Sequence, residues 1–173
     1  MPSIVSYLEM KSREEFSPVD APAGFEGRKV DAPDGLVNQR MYREVGGDWD
    51  WTDRLVWSEE QWRAFAVQEG LETWLAYWEG EVAGYFELEV QDGGHVEIAL
   101  FGLLPQMFGK GLGSAMLSLA VAQAWSRRDT TRVWLHTCTE DHPHAVANYQ
   151  KRGFRLFKTC LLYTSPSPRD SGQ

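Results

Sequence analysis

Cysteine is scarce in this chain: Cys138 and Cys160 are the two copies among 173 residues. Two cysteines cannot build the disulfide framework of a small secreted domain. The stretch TCTEDHPH around Cys138 also lacks the paired spacing of a zinc site, so no metal is expected. Basic residues are in deficit too, 17 Lys and Arg against 25 Asp and Glu, a formal net charge of -8. That balance speaks against a nucleic-acid partner, which needs a basic face, and favours cationic or neutral substrates. No apolar run approaches the roughly 20 residues of a membrane helix. The run from Ile4 to Leu8 is short and lacks a cleavage site of small residues. The expectation is a cytoplasmic protein with no membrane partner, acting as a monomer or homodimer.

What is present is apolar material: 43% of residues are hydrophobic and 13% aromatic, enough for one core and one compact domain. Ser3 to Met10 reads as a first strand, followed by a Pro- and Gly-rich connection from Ser17 to Gly27. Leu36, Val37, Met41 and Val45 recur at helical spacing before Gly46-Gly47. Ser58 and Gln61 have capping-box spacing ahead of a second helix, which ends by Gly70. Glu72 to Trp78 and Val82 to Val90 form a hairpin, and Asp92-Gly93-Gly94 turns into a third strand, His95 to Leu104. That last run is apolar beyond its start, as a central strand buried on both faces would be. A long helix from Leu112, a strand from Arg132 to Thr137, a helix from Pro143 to Arg152 and a strand from Phe154 to Lys158 complete the order.

The end of the chain reads differently. CLLYTSPSPRD, from Cys160 to Asp170, is rich in Ser and Pro and cannot bury a core. It looks like the translation of a transposase adapter used to prepare sequencing libraries, as a gene read from an environmental DNA fragment would carry. The expected division is therefore a domain over residues 1–159 and a non-native or disordered tail over residues 160–173, with the natural C-terminus missing.

The segment QMFGKGLGS, Gln106 to Ser114, has glycines at 109, 111 and 113 between an apolar strand and an apolar helix. Such a junction exposes backbone N–H groups at the positive end of a helix dipole, and the missing side chains admit a diphosphate. The Walker pattern fails because Lys110 is followed by Gly111. The dinucleotide fingerprint fails on spacing and on the antiparallel strand before it. What remains, Q-x-x-G-x-G at Gln106, Gly109 and Gly111, resembles the acyl-CoA signature of the GNAT superfamily of N-acetyltransferases. Downstream, HPHAVANYQKRGF is similar to the family's N-x-x-A-x-x-x-Y-x-K-x-G-F helix, matching at Ala145, Tyr149, Lys151, Gly153 and Phe154. His142 stands where the family has asparagine.

The resemblance implies an α/β (α+β) GNAT fold: a mixed, mostly antiparallel sheet with two splayed central strands and helices on both faces. It implies acetyl-CoA as cofactor. The backbone around Phe101 and Leu103 would hold the pantetheine arm. Amides from Met107 through Phe108, Gly109, Lys110, Gly111, Leu112 and Gly113 to Ser114 would hold the pyrophosphate, with Gln106 and His142 as further contacts.

Acetyl transfer to an amine needs a neutral amine, a stabilised oxyanion and a proton for the departing thiolate. Glu97 is the lone carboxylate in VEIALFGLL, alternation puts it on one face with His95, Ala99 and Phe101, and it matches the family's base position. The plainer reading is an edge glutamate binding water or an arginine. Tyr149 is a candidate proton donor, or else a ring packed on the cofactor arm. The N–H of Phe101 is the candidate oxyanion donor, His95 a relay, and His136 an ordinary half-buried strand residue.

For the acceptor, Tyr42, Trp49, Asp50, Trp51 and Asp53 combine aromatic faces with carboxylates, a wall that can hold a cationic amine. Equally, these tryptophans cap a small core and the aspartates pair with Arg54. The expected function is an N-acetyltransferase acting on a small-molecule primary amine, such as an antibiotic or polyamine. The alternatives are a CoA-binding sensor without turnover and a protein or peptide N-acetyltransferase.

Overall fold

A computed structural model describes residues 3–47, 51–138 and 144–162 of the chain. Trp49, Asp50 and His142, singled out above, lie outside the described residues, as does the chain beyond Leu162. The strands are β1 (Ser3–Met10), β2 (Phe25–Lys29), β3 (Leu71–Trp78), β4 (Glu81–Gln91), β5 (His95–Leu103), β6 (Arg132–Cys138) and β7 (Arg155–Leu162). The helices are α1 (Leu36–Gly46), α2 (Glu59–Ala66), α3 (Leu112–Ser126) and α4 (Ala145–Lys151). One sheet takes all seven strands in the order β2-β3-β4-β5-β6-β1-β7. Every pair is antiparallel except β5 with β6. Among the described residues, no helix is long and apolar enough to cross a membrane.

Alternation along the strands divides the core between the two sheet faces. Phe86 and Leu88 of β4, Val96 and Ile98 of β5, and Val133 and Leu135 of β6 are buried with Met116, Leu117, Ala120 and Val121 of α3. On the other face Ala83 and Tyr85 pack with Met41 and Val45 of α1 and with Leu104, Met107 and Leu112. Helix α2 starts with the capping box expected from Ser58 and Gln61. The Ser58 hydroxyl accepts from the Gln61 N–H at 3.2 Å, and the Gln61 side-chain carbonyl accepts from the Ser58 N–H at 2.8 Å.

Three features depart from the sequence reading. Strand β2 occupies the end of what reads as a Pro- and Gly-rich connection. It is a five-residue edge strand, and its Gly27 sits under Leu119, where a Cβ would come within 2.4 Å of a methyl. The glycine there reflects close approach, not a turn. Strand β7 continues through Cys160 to Leu162, pairing Val5 with Cys160 and Ser3 with Leu162, so the boundary expected at residue 160 falls inside a paired strand.

The third departure shapes the site. Glu87 pairs with Leu100 but Leu88 pairs with Ile98, so Ala99 is an extra residue, a β-bulge in β5. A one-residue insertion flips the rest of the strand to the opposite face. Phe101 therefore joins the α3 side, while Glu97 and Leu100 share the other side with Glu87. Simple alternation, which would put Glu97 and Phe101 together, fails at the bulge.

Candidate active site

Strands β5 and β6 pair at only three positions, His95 with Arg132, Val96 with Val133 and Glu97 with Trp134. Beyond Glu97 the strands part, β5 staying with β4 and β6 with β1. The opening between them is a cleft of about 800 Å³. Backbone polar groups on strand edges that have lost their neighbour need another partner, and an extended ligand can supply one. Phe101 and Leu103 line the cleft from β5, and Leu135, Thr137 and Cys138 line it from β6.

The glycine loop closes one end. Gly109, Gly111 and Gly113 all line the cleft, with Phe108, Leu112 and Ser114. Gly109 and Gly111 have φ of +78° and +76°, a left-handed conformation that L side chains rarely adopt. Gly113 has no such constraint, yet a Cβ added at any of the three would meet nothing within 4 Å. Their bareness serves open space at the start of α3. Gly111 is the N-cap of that helix and provides no side-chain bond to its first N–H groups. Those donors, at the positive end of a fifteen-residue helix, suit an anion. Open backbone, unspent donors and an adjoining strand edge fit the diphosphate and amide-bearing arm of coenzyme A.

Not every residue of the loop lines the cleft. Met107 turns inward, 5% exposed among the core residues, and does not line the cleft. Gln106 is exposed and does not line the cleft; the short helical turn Pro105–Met107 carries it outward. The Lys110 side chain lies over the Trp78 ring, 5.8 Å from ammonium to centroid, and is also absent from the lining. The Ser114 hydroxyl donates to Asn148 Oδ1 at 2.9 Å, tying α3 to α4. Asn148 lines the cleft, a contact the sequence pattern did not single out.

Tyr149 comes next on α4, also lining the cleft. Its ring meets Phe101 at 6.4 Å and Phe154 at 6.1 Å, both edge-on, an arrangement that fixes the side chain against β5.

Glu97 lies where β5 and β6 separate, its side chain 12% exposed. One oxygen accepts from Gln91 Nε2 at 3.1 Å, and the other is 3.4 Å from His136 Nδ1. Gln91 in turn accepts from the Trp134 indole at 3.0 Å. His136 lines the cleft and is half exposed, so the carboxylate connects the interior to a titratable group near solvent. The relay considered at His95 is not formed: the His95 ring is 3.1 Å from Arg132, which also pairs with Glu9 at 2.7 Å, and His95 does not line the cleft. Strand alternation along β5 does not point to His136, because that neighbour of Glu97 comes from β6.

Tyr42, Trp51 and Asp53, considered above for an acceptor wall, line the same cleft. The cation against its aromatic faces, however, is the chain's own Arg54. Its guanidinium lies 4.2 Å from the centroid of Phe65, 5.0 Å from Trp57 and 5.6 Å from Tyr42. Arg54 Nη1 bonds both oxygens of Glu87, at 3.2 and 3.3 Å. Glu87 is fully buried, and Asn38 Nδ2 donates to it at 2.9 Å. Burial pushes the Glu87 carboxyl above its ordinary range, against the opposing pull of Arg54 and Asn38. Burial likewise raises the Tyr42 phenol, and raises the enclosed Tyr85 phenol well above its usual value with Glu87 adding to the effect. Within this cluster only Tyr85 and Glu87 share a strand spacing; Asn38 and Arg54 come from segments 49 and 33 positions from Glu87, so the sequence pattern does not bring the four together.

A family model described as "Acetyltransferase (GNAT) family" matches residues 38–154. Among curated proteins, none matches the sequence. Among solved structures, a GCN5-related N-acetyltransferase from Sphaerobacter thermophilus is similar at TM-score 0.72 and 18% identity, covering 93% of this chain and 50% of that one. One from Kribbella flavida aligns at TM-score 0.67 and 19% identity, covering 96% of this chain and 60% of that one. An acetyltransferase of GNAT family from Streptococcus pneumoniae aligns at TM-score 0.61 and 19% identity, covering 80% of this chain and 99% of that one. The chain thus spans half to three fifths of the length of the first two. At these identities the structural likeness bears on the fold.

Proposed function

The chain belongs to the GNAT acetyltransferase family, and on that premise we propose that it transfers an acetyl group from acetyl-CoA to a primary amine of a small molecule. The observation that carries this reading is the meeting, in one cleft, of an open glycine cradle at a helix N-terminus with the Glu97 carboxylate. When bound, acetyl-CoA supplies an activated acetyl thioester. The N–H groups of residues 109–114 would hold its pyrophosphate, and the backbone of Phe101 and Leu103 would hold its pantetheine arm.

Glu97 takes the proton from the incoming amine, and the polar path to His136 gives that proton a way out. Gln91 fixes the orientation of the carboxylate. The backbone N–H of Phe101 donates to the acetyl oxygen as charge builds there. Tyr149 Oη donates a proton to the leaving sulfur. In this scheme Glu97 prepares the amine for direct attack on the thioester, and no protein side chain would carry the acetyl group.

The test is release of free thiol from acetyl-CoA across a panel of polyamines, aminoglycosides, amino acids and short peptides. Amine-dependent release is the expected result. Tight CoA binding with no release for any amine would instead favour a sensor, and absence of both would refute the reading.

A further inference from the structure

The acceptor wall contains a permanently charged donor group that acetyl transfer does not itself require. Arg54 lines the cleft, with a side chain 15% exposed. Of its five N–H donors, the hydrogen bonds formed among the described residues come from Nη1 alone, to Glu87. Aromatic rings hold the guanidinium from several sides, so its position is fixed in advance. The Tyr85 hydroxyl, enclosed and within electrostatic reach of Arg54, has no hydrogen-bond partner among the described residues. A buried Arg–Glu pair is a poor way to gain stability, because desolvation offsets most of the attraction. A pre-positioned guanidinium with a donor edge to spare is, by contrast, well suited to grip a carboxylate.

The other charges of the cleft indicate where the amine goes. Glu89 lies directly across from Glu97 in the β4–β5 pairing, and both line the cleft. Glu89 and Glu87 are two residues apart on the same face of β4, so their Cα atoms are separated by about 7 Å. The wall therefore has carboxylates at one point and a guanidinium one short step away.

We propose that the acceptor is a zwitterionic amine, an amino acid or a close analogue, whose carboxylate is held by Arg54 while its amine faces Glu97. The carboxylates around Arg54 favour a singly charged group over a phosphate dianion. This inference rests on the acetyl-transfer reading for the identity of the reaction, but the binding it describes can be measured without turnover.

The experiment uses matched pairs differing only in the carboxylate: lysine with cadaverine, ornithine with putrescine, and phenylalanine with phenethylamine. Initial rates give kcat/KM for each, and the melting temperature at equal ligand concentration gives binding independently. In at least one pair the carboxylated member is expected to be favoured about 10-fold or more, as one charge-assisted hydrogen bond would give. Arg54→Gln alone strands Glu87 in the core, so the companion is the double variant Arg54→Gln/Glu87→Gln, which removes both charges. The preference should vanish in the double variant, each carboxylated ligand losing its advantage over its decarboxylated partner in both kcat/KM and melting temperature. No preference in the wild type, or a preference that survives in the folded double variant, would overturn the proposal. If no amine is acetylated but the carboxylated ligands still raise the melting temperature through Arg54, acetyl transfer fails and the carboxylate site stands. If neither rate nor melting temperature responds to the carboxylate, the site fails as well.

Discussion

Gly113→Ala separates a glycine kept for a turn from one kept for a ligand. Residue 113 is the second residue of α3, with no left-handed φ and nothing within 4 Å of an added Cβ. The free protein should accept the methyl without strain. Alanine is favoured over glycine inside a helix by roughly 0.5–1 kcal/mol. For a chain of this size, that raises the melting temperature by about 1–4 °C. If the space beside Gly113 receives a phosphate, the same methyl displaces it from the helix N–H groups. Losing one charge-assisted hydrogen bond of roughly 1.5–3 kcal/mol weakens CoA about 10- to 100-fold. Stability and affinity thus move in opposite directions. Gly111→Ala is the contrast: its φ of +76° makes alanine costly, by about 1–2 kcal/mol, so the free protein melts lower. Thermal melts and calorimetric titration with CoA measure both quantities. A stabilised Gly113→Ala protein that binds CoA as tightly as the parent would refute the cradle and leave the glycines as a tight turn.

Glu97→Gln should lower kcat most at low pH, where the amine is most in need of a base, and rates unchanged across the pH range would remove Glu97 from that role. Tyr149→Phe keeps the ring contacts with Phe101 and Phe154 and removes the proton donor. It should reduce kcat about 10²-fold or more with little change in CoA affinity, and loss of affinity without loss of kcat would assign the residue to packing. Glu87 has a folded-state pKa raised above the ordinary 4.5. The folded protein therefore binds the extra proton, and the contribution of Glu87 to stability is largest below that value and falls as pH rises through the folded pKa. Melts of wild type and Glu87→Gln against pH should show this fall in the wild type alone; parallel curves would contradict it.

Local rules made much of the fold legible. The bounds of β1 arise from its apolar pattern, and the capping box of α2 from two side chains three residues apart. The glycine loop and the helix carrying Tyr149 are likewise contiguous, and family resemblance attaches to such stretches. What escaped depends on contacts between distant segments. Gly27 resembles a turn residue until Leu119 is laid over it. The bulge at Ala99 has no local signal, yet it decides that Phe101 and Glu97 face opposite ways. Arg54 and Glu87 are 33 positions apart, and Asn38 and Glu87 49 apart. No periodicity marks such a cluster. The aromatic wall was visible in the sequence, but its resident cation is the chain's own arginine.

The central claim is direct acetyl transfer from acetyl-CoA to an amine in the cleft between β5 and β6. Its most direct test is to incubate the protein with isotopically labelled acetyl-CoA, with and without amine acceptors, and locate the label by mass spectrometry. The account predicts label on the amine nitrogen when an acceptor is present and an unlabelled protein when it is absent. Label on a protein side chain that is then passed to the amine, or no label on any amine while CoA binds, would contradict it.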